Sequence, residues 1–423
     1  MNLLRTFVTV MVAAVCSYAQ APLPDNVTGT RPGAFSPRSL ALGHTFLTNQ
    51  TGSPALMGNP STLADQSTQW NIDLSADVSR VKETRSYPFY DAFDGVLGYN
   101  NYAVNDHLYS KLDGGVAYKL KQDHLESMVV SVGTYSAYQF GYTYHEEVRN
   151  RFTSGGIQDK ILGHNVYDIN GDLRAIAVGT AAAQGNVAIG FSVAFMTGDW
   201  GYTNGVYYDS PDSLDMITRA DFSPAGTPAD VNFGFTYDAS PRVRVGARAL
   251  FPAGKMKFDF TNTVSTGDSS LQSTGSSRVT YPSHLSVGLQ YRPQNEYRPL
   301  VYLETEMHTF SQVEDGLNDV LEFRAGAEQQ VVPGTPARFG IVYSTSPYDK
   351  DRANALFTAG VGFILRNMRA DFGLEFGEMN YSADDLFPQS LYGEDDRTDR
   401  DRVETGLFRG IVSLAWDLDW IHK

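Results

Sequence analysis

The sequence predicts an all-β protein: a 14-stranded antiparallel transmembrane β-barrel with an N-terminal hatch held in its lumen. Two observations carry most of that expectation. One is a period-two alternation of apolar and polar residues that recurs down the chain, and the other is an export signal ahead of it. A third is the aromatic content, 24 Tyr and 24 Phe, which suits the girdles a barrel carries at both membrane interfaces.

The alternation comes first. From Asn71 to Val78, the residues Ile72, Leu74, Ala76 and Val78 point one way, and Asn71, Asp73, Ser75 and Asp77 the other. Successive strand residues face opposite sides of a sheet, so this is a strand with one apolar and one wet face. Leu285, Val287, Leu289 and Tyr291 alternate likewise with His284, Ser286, Gly288 and Gln290, and Ala370, Phe372, Leu374 and Phe376 with Asp371, Gly373, Glu375 and Gly377. A soluble sandwich also alternates, with its apolar faces packed together. Candidate strands here run about 10 to 20 residues against about 5 or 6 in soluble sheets, which favours a barrel whose apolar face meets lipid.

Export is written in the first residues. Arg5, the apolar run from Phe7 to Val15, and Ser17-Tyr18-Ala19 make a secretory signal peptide over residues 1–19, cut after Ala19. Cys16 raises lipoprotein processing as a rival, against which Ala13-Ala14-Val15-Cys16 lacks the leading Leu and carries bulky Val before Cys. Cys16 is the only cysteine, so the cut leaves none, and disulfide or thiolate chemistry is excluded. Losing Arg5 makes the net charge of −15 one unit more negative. Such a surface repels a phosphate backbone, so nucleic acid is not an expected partner. No apolar stretch after the signal reaches the roughly 20 residues of a spanning helix; a membrane would be crossed by strands.

Fourteen candidate strands lie near residues 69–82, 108–121, 126–146, 171–184, 186–203, 229–238, 241–262, 277–292, 298–312, 319–332, 335–346, 353–366, 368–381 and 403–421. An even count fits a closed bacterial barrel. Gly185-Asn186 and Asn170-Gly171 read as tight turns. Asp168-Ile169-Asn170-Gly171-Asp172 has its glycine misplaced for a calcium loop and reads as a hairpin. The longer polar connections around 147–170, 204–227, 263–276 and 382–401 are expected outside the cell, with short turns in the periplasm. Acidic runs at Asp209–Asp215, Asp384-Asp385 and Glu394–Asp401 belong to those outer loops, where they are solvated or bridge divalent ions to lipid headgroups.

Three segments follow: signal peptide 1–19, hatch 20–66 and barrel 67–423. Residues 20–66 are rich in Gly and Pro, but Phe35, Leu40, Leu42, Phe46, Leu47, Leu56 and Met57 are too apolar for a disordered tail. Barrels of about 8 strands are filled by side chains and those of 16 to 18 leave a pore. A fourteen-strand barrel needs a filling, and this segment supplies one.

At that segment the chain resembles a family. Ser39-Leu40-Ala41-Leu42-Gly43-His44-Thr45-Phe46, followed by Leu56-Met57-Gly58-Asn59-Pro60-Ser61-Thr62-Leu63-Ala64, is similar to the N-terminal hatch of FadL-type transporters, whose Asn-Pro-Ala signature becomes Asn59-Pro60-Ser61 here. Tyr281-Pro282-Ser283-His284-Leu285 through Tyr291-Arg292-Pro293, then Arg338-Phe339-Gly340-Ile341-Val342-Tyr343 and Ala359-Gly360-Val361-Gly362-Phe363, resemble its later strands. The resemblance implies uptake of long-chain fatty acids or other hydrophobic molecules in the outer membrane, with a moving hatch and a sideways exit through the wall. PorV-like relatives imply a second possibility, service to protein secretion and surface attachment, and a structural barrel without cargo is a third.

The candidate site follows from these readings. Phe46, Leu56, Met57, Gly58, Asn59 and Pro60 are the hatch and ligand-contact candidates. Pro60 fixes its own backbone and biases Asn59 to an extended conformation, leaving the Asn59 amide to tie hatch to wall; an ordinary turn is the plainer reading. Arg244, Arg248, Glu304, Glu306, Arg324 and Arg338, with Glu322, Asp371 and Glu375, line the wet face. They either anchor the hatch and guide an anionic headgroup or simply neutralise one another. Small residues Ala175, Ala177, Gly179, Ala181, Ala188, Gly190, Ser192 and Ala194 leave room beside them. Glu304, Glu306 and His308 share a strand face at a spacing a metal accepts, which alone is too few ligands for a site. Nucleophile elbow, Walker loop and His-Glu-x-x-His are absent from the sequence, and Ser, His and acid from separate strands are the one catalytic arrangement left open. The expectation is a monomeric non-enzyme without cofactor or metal. Its partners are membrane lipids, a hydrophobic ligand and, during biogenesis, the barrel-assembly machinery.

Overall fold

The computed structural model describes residues 29–93, 95–149, 160–294, 299–348, 353–387, 389–393 and 399–419. The expected signal peptide, Cys16 and most of the acidic run after Glu394 lie outside them. Seventeen strands are described: β1 (Trp70–Tyr90), β2 (Val96–Lys119), β3 (Ser127–Arg149), β4 (Ile161–Gln184), β5 (Val187–Tyr208), β6 (Met216–Pro224), β7 (Ala229–Ser240), β8 (Val243–Pro252), β9 (Met256–Thr266), β10 (Ser269–Val279), β11 (His284–Tyr291), β12 (Leu300–His308), β13 (Val320–Val332), β14 (Thr335–Thr345), β15 (Ala353–Leu365), β16 (Met368–Ala383) and β17 (Asp401–Leu418).

Fourteen of them close on themselves. β1 to β5 pair in order, β5 pairs β7, β7 pairs β8, β8 pairs β11, and β11 to β17 run in order back to β1, every pair antiparallel. Apolar residues line the outside: Ile72, Leu74 and Val78 on β1, Val287 and Leu289 on β11, and Phe323 on β13 are exposed, while Asn71, Ser75 and Asp77 are buried. Closure leaves the wall without a free edge strand, which is the condition a strand protein must meet to cross a bilayer. Among the described residues no helix is long and apolar enough to cross a membrane. The chain is a closed 14-stranded antiparallel β-barrel with an apolar outer face.

The remaining three strands correct the sequence reading. Expected loops at 204–227 and 263–276 contain β6 and the β9–β10 hairpin. The upper half of β5, Trp200 to Val206, leaves the barrel to pair with β6, which pairs β9, which pairs β10. The single strand expected over 241–262 breaks at Gly254, whose φ of 92° begins the turn into β9. That over 277–292 divides between β10 and β11. Asn170-Gly171 is no turn: β4 runs straight through it, and Gly171 pairs Phe140 on one side and Trp200 on the other. Those two rings stack at 4.4 Å across the glycine, where an added Cβ would meet the Trp200 Cα at 2.4 Å. A strand glycine marking close approach was mistaken for a turn glycine. By contrast, Gly185-Asn186 does turn β4 into β5.

Strand length sets the shape of the wall. About 9 to 11 tilted residues cross a bilayer. β8, β11 and β12, with 10, 8 and 9 residues, do that and little more. β1 to β5, with 21 to 24 residues, rise well above the membrane. One side of the barrel is tall and the other low.

Residues 33–64 fill the lumen and are buried almost throughout. Helix α1 (Pro37–Ala41) starts at Ser36, whose hydroxyl accepts the Ser39 N–H at 3.2 Å, with Pro37 in the first turn where it forfeits no bond. Two 3-10 turns follow, Ser53–Leu56 and Pro60–Asp65.

Candidate functional site

The plug meets the wall on glycine. A Cβ on Gly190 would sit 2.3 Å from the Ser61 N, on Gly234 2.0 Å from the Asn59 Oδ1, on Gly340 2.1 Å from the Gly43 N, and on Gly373 2.4 Å from the Pro37 carbonyl oxygen. At Gly190, Gly340 and Gly373 backbone thus rests against backbone, and at Gly234 against the Asn59 side chain. Of the small residues on β4 and β5, Gly179 receives Leu56, and the Ser192 hydroxyl donates to the Leu56 carbonyl at 2.7 Å.

Asn59 works in three directions. Its amide donates to the Leu47 carbonyl at 2.6 Å and to the Phe235 carbonyl of the wall at 3.3 Å. Its oxygen accepts from the Ser61 N–H at 3.1 Å and hydroxyl at 2.8 Å, capping the turn that Pro60 opens. Asn59 therefore joins two plug segments and the wall. Around it the plug carbonyls are taken up: Asn232 donates to those of Leu56 and Gly58, and Arg248 to that of Met57.

Of the six wall charges, Arg248, Glu304 and Arg324 gather around Phe46. Its backbone N–H and that of Leu47 donate to Glu304 at 3.0 and 2.7 Å. The Arg248 and Arg324 guanidiniums lie 5.0 and 4.9 Å from its ring centroid, within cation–π range. Glu306 sits between the same arginines, 2.8 Å from Arg324 and 3.5 Å from Arg248. Arg338 stands apart, pairing Glu328 at 2.7 Å and Asp371 at 2.6 Å, and Glu328 also receives the plug's Arg38. Arg244 is at the rim, holding Asp65 at the plug's end through two bonds of 2.7 Å. His44 of the plug bonds to Glu375. Anchoring and mutual neutralisation are one network here. The Glu304–Glu306–His308 grouping is not assembled: Glu304 is turned to the plug, and His284 of the neighbouring strand stands with Glu306 and His308 instead. Sequence spacing on one strand could not reveal a partner brought in by register.

Among the described strands the wall has one weak seam, which sequence reasoning missed. β2 and β3 are 24 and 23 residues long but pair only over Gly114–Lys119 and Val129–Thr134. Above that the ladder stops. A bulge between Ser136 and Tyr138 turns β3 away, while its pairing with β4 continues. Side chains replace the missing bonds: Asp113 accepts the Ser136 N–H at 3.0 Å, Asn105 accepts the His145 N–H at 2.9 Å, and Arg174 reaches across to the Leu112 carbonyl at 2.7 Å and to Asp113 at 3.0 Å. Leu112, opposite Ala76 of β1, is exposed on the outer face at the foot of this stretch, so the seam begins within the apolar belt. Inside it lie Tyr135, Tyr138 and Phe140, all buried. The plug reaches this place too, since the Ser53 hydroxyl bonds to Tyr135 and donates to Asp73 at 2.6 Å. The only sequence signal was a slip in the alternation of β3, from Val129, Ser131, Gly133 and Tyr135 to Tyr138, Phe140 and Tyr142.

No family model and no curated sequence relative matches the chain. Solved structures do. The toluene transporter TodX of P. putida aligns over 92% of this chain and 99% of its own, with a TM-score of 0.61 at 16% identity. A FadL homologue of Pseudomonas aeruginosa aligns over 95% and 100%, with 0.62 at 12% identity, and the toluene transporter TbuX of Ralstonia pickettii over 91% and 99%, with 0.60 at 17%. The fold is that of the FadL-type barrels.

Proposed function

We propose that this barrel is a passive channel for hydrophobic small molecules, in which residues 29–66 act as a hatch and the β2–β3 seam as the exit into the membrane. The carrying observation is that seam, a gap in backbone pairing at the level of the apolar belt, lined inside by aromatic rings and touched by the plug at Ser53. An apolar solute leaving sideways avoids the water beyond the barrel, and its transfer to lipid is favourable by roughly 25 cal/mol per Å² of apolar surface. The plug fills the lumen, so passage requires it to move. Neighbours of the same fold that are toluene transporters support a hydrophobic cargo; fatty acids or similar chains are the class we assign, with no catalytic step.

Deleting residues 22–60 tests the hatch. In planar bilayers the truncated barrel is expected to conduct ions steadily, whereas the full chain stays closed. Equal conductance in both would overturn the role given to the plug.

A further inference from the structure

Near the low rim, three strands bring ligating groups together around His308. His284 lies directly opposite it on β11, Glu306 precedes it by two residues on the same face, and Glu322 lies opposite Glu306 on β13. One ligand atom from each of His284, Glu306 and His308 lies within 4.8 Å of the others, and the imidazole centroids are 4.4 Å apart. Glu322 Oε2 is 3.6 Å from His308 Nε2.

Arg324 divides both carboxylates. Its Nε holds Glu322 Oε1 at 2.5 Å and a terminal nitrogen holds Glu306 Oε2 at 2.8 Å. The second oxygen of each remains on the histidine side, Glu306 Oε1 lying 2.9 Å from His284 Nδ1 and 3.9 Å from His308 Nε2. His284 Nδ1, Glu306 Oε1 and His308 Nε2 thus converge on one place, where an ion would replace the proton held between His284 and Glu306, since such ligands bind deprotonated. His308 Nε2 makes no hydrogen bond, although it is buried.

We propose that His284, His308 and Glu306, with Glu322 as a fourth donor, form a binding site for a divalent transition-metal ion of the zinc class. Imidazole nitrogen with carboxylate oxygen is the donor set such ions take, whereas magnesium and calcium prefer oxygen alone. Glu304, Glu306 and Glu322 outnumber Arg248 and Arg324 in this part of the wall, so the local balance also admits a cation. A cavity of about 250 Å³, lined by His284, His308 and Glu322 together with Phe310 and Tyr348, connects the site to the outer rim. The ion would tie β11, β12 and β13 together where the strands are shortest.

The test uses the folded full-length barrel in detergent, stripped with chelator and dialysed against Zn²⁺, with bound metal counted by mass spectrometry. One zinc per chain is expected, retained against a hundredfold excess of Mg²⁺. His284→Gln and His308→Gln should each weaken binding at least tenfold, while His145→Gln, a change at an exposed histidine, leaves it unaltered. Folding of each variant is checked by heat-modifiable gel mobility, and Co²⁺ substitution gives a second readout through its visible absorption bands. No zinc retained by the wild type, equal zinc in the two histidine variants, or displacement by Mg²⁺ would each overturn the site.

Discussion

Arg244 and Arg248 project from the same face of β8, two repeats of the zigzag apart, yet their surroundings predict different costs of removal. Arg244 holds Asp65 at the rim with both side chains partly exposed, whereas Arg248 is buried against Glu306, Asn232 and the Met57 carbonyl. An exposed pair contributes about 0–1 kcal/mol, while removing one partner of a buried pair costs about 3–5 kcal/mol by stranding the other charge. Chemical unfolding in detergent should therefore show Arg244→Ala close to wild type and Arg248→Ala strongly destabilised. Equal losses would mean that the network does not depend on burial. Asn59 and Gly234 give a coupled case. Asn59→Ala removes a cap and a tie to Leu47, about 1–3 kcal/mol together. Gly234→Ala forces a methyl onto the Asn59 Oδ1, an overpacking of about 1–3 kcal/mol. In the Asn59→Ala background the tightest of those contacts is gone, leaving Pro60 Cδ and the Ser61 N at 2.8 Å, so the double variant should be more stable than the two losses added. Strict additivity would mean that Asn59 is not where the wall glycine meets the plug.

At the scale of elements, the seam is the feature with a direct test. Asp113 and Ser136 face each other across it, with the Asp113 carboxylate on the Ser136 N–H. A chain cut after Ala19 carries no cysteine, so Asp113→Cys with Ser136→Cys makes a clean lock. Oxidised, the pair should abolish uptake of a hydrophobic reporter into cells, and reduction should restore it; uptake that ignores the redox state would remove the seam from the route. Arg174→Ala should act the other way and raise uptake. How much of this was legible varies by element. The fourteen wall strands were readable because lipid on one side and wet plug on the other impose alternation on each. β6, β9 and β10 were not, because they stand above the membrane: β10 is exposed along nearly its whole length, and Ser269–Val279 has no apolar face to betray a strand. Asn59-Pro60 was readable as turn chemistry, but the Leu47 and Phe235 carbonyls it meets lie 12 and 176 residues away and follow from tertiary closure alone. Arg174 was invisible as a strap for the same reason, since it acts on a strand that is not its neighbour.

For the whole molecule, the unequal wall says where the membrane lies. Low strands such as β11 have no residues to spare, so their outer faces sit wholly in lipid. Tall strands leave it partway: above Val78 the outer face of β1 carries Arg80 and Lys82, with Arg80 paired to Asp106 of β2, and at the level of Thr84 it meets Val104 on one side and Glu404 on the other. Val287 on β11 and Val104 on β2 are the same residue type with nearly the same exposure, 56% and 57%, and differ only in depth. If the barrel were a soluble protein, arginine at either would be a surface change of little consequence. In a bilayer, arginine near the midplane of a barrel's lipid face costs about 2–4 kcal/mol, falling to about 0–1 near the interfaces. Val287→Arg should therefore lower stability by that larger amount in lipid vesicles, and Val104→Arg, beside Asp106 and Glu404, by almost nothing. Transferring both variants into denaturant-containing detergent, whose belt has no fixed thickness, should shrink the difference between them. Equal effects in vesicles would place the membrane at another height on the wall and move the seam out of its reach.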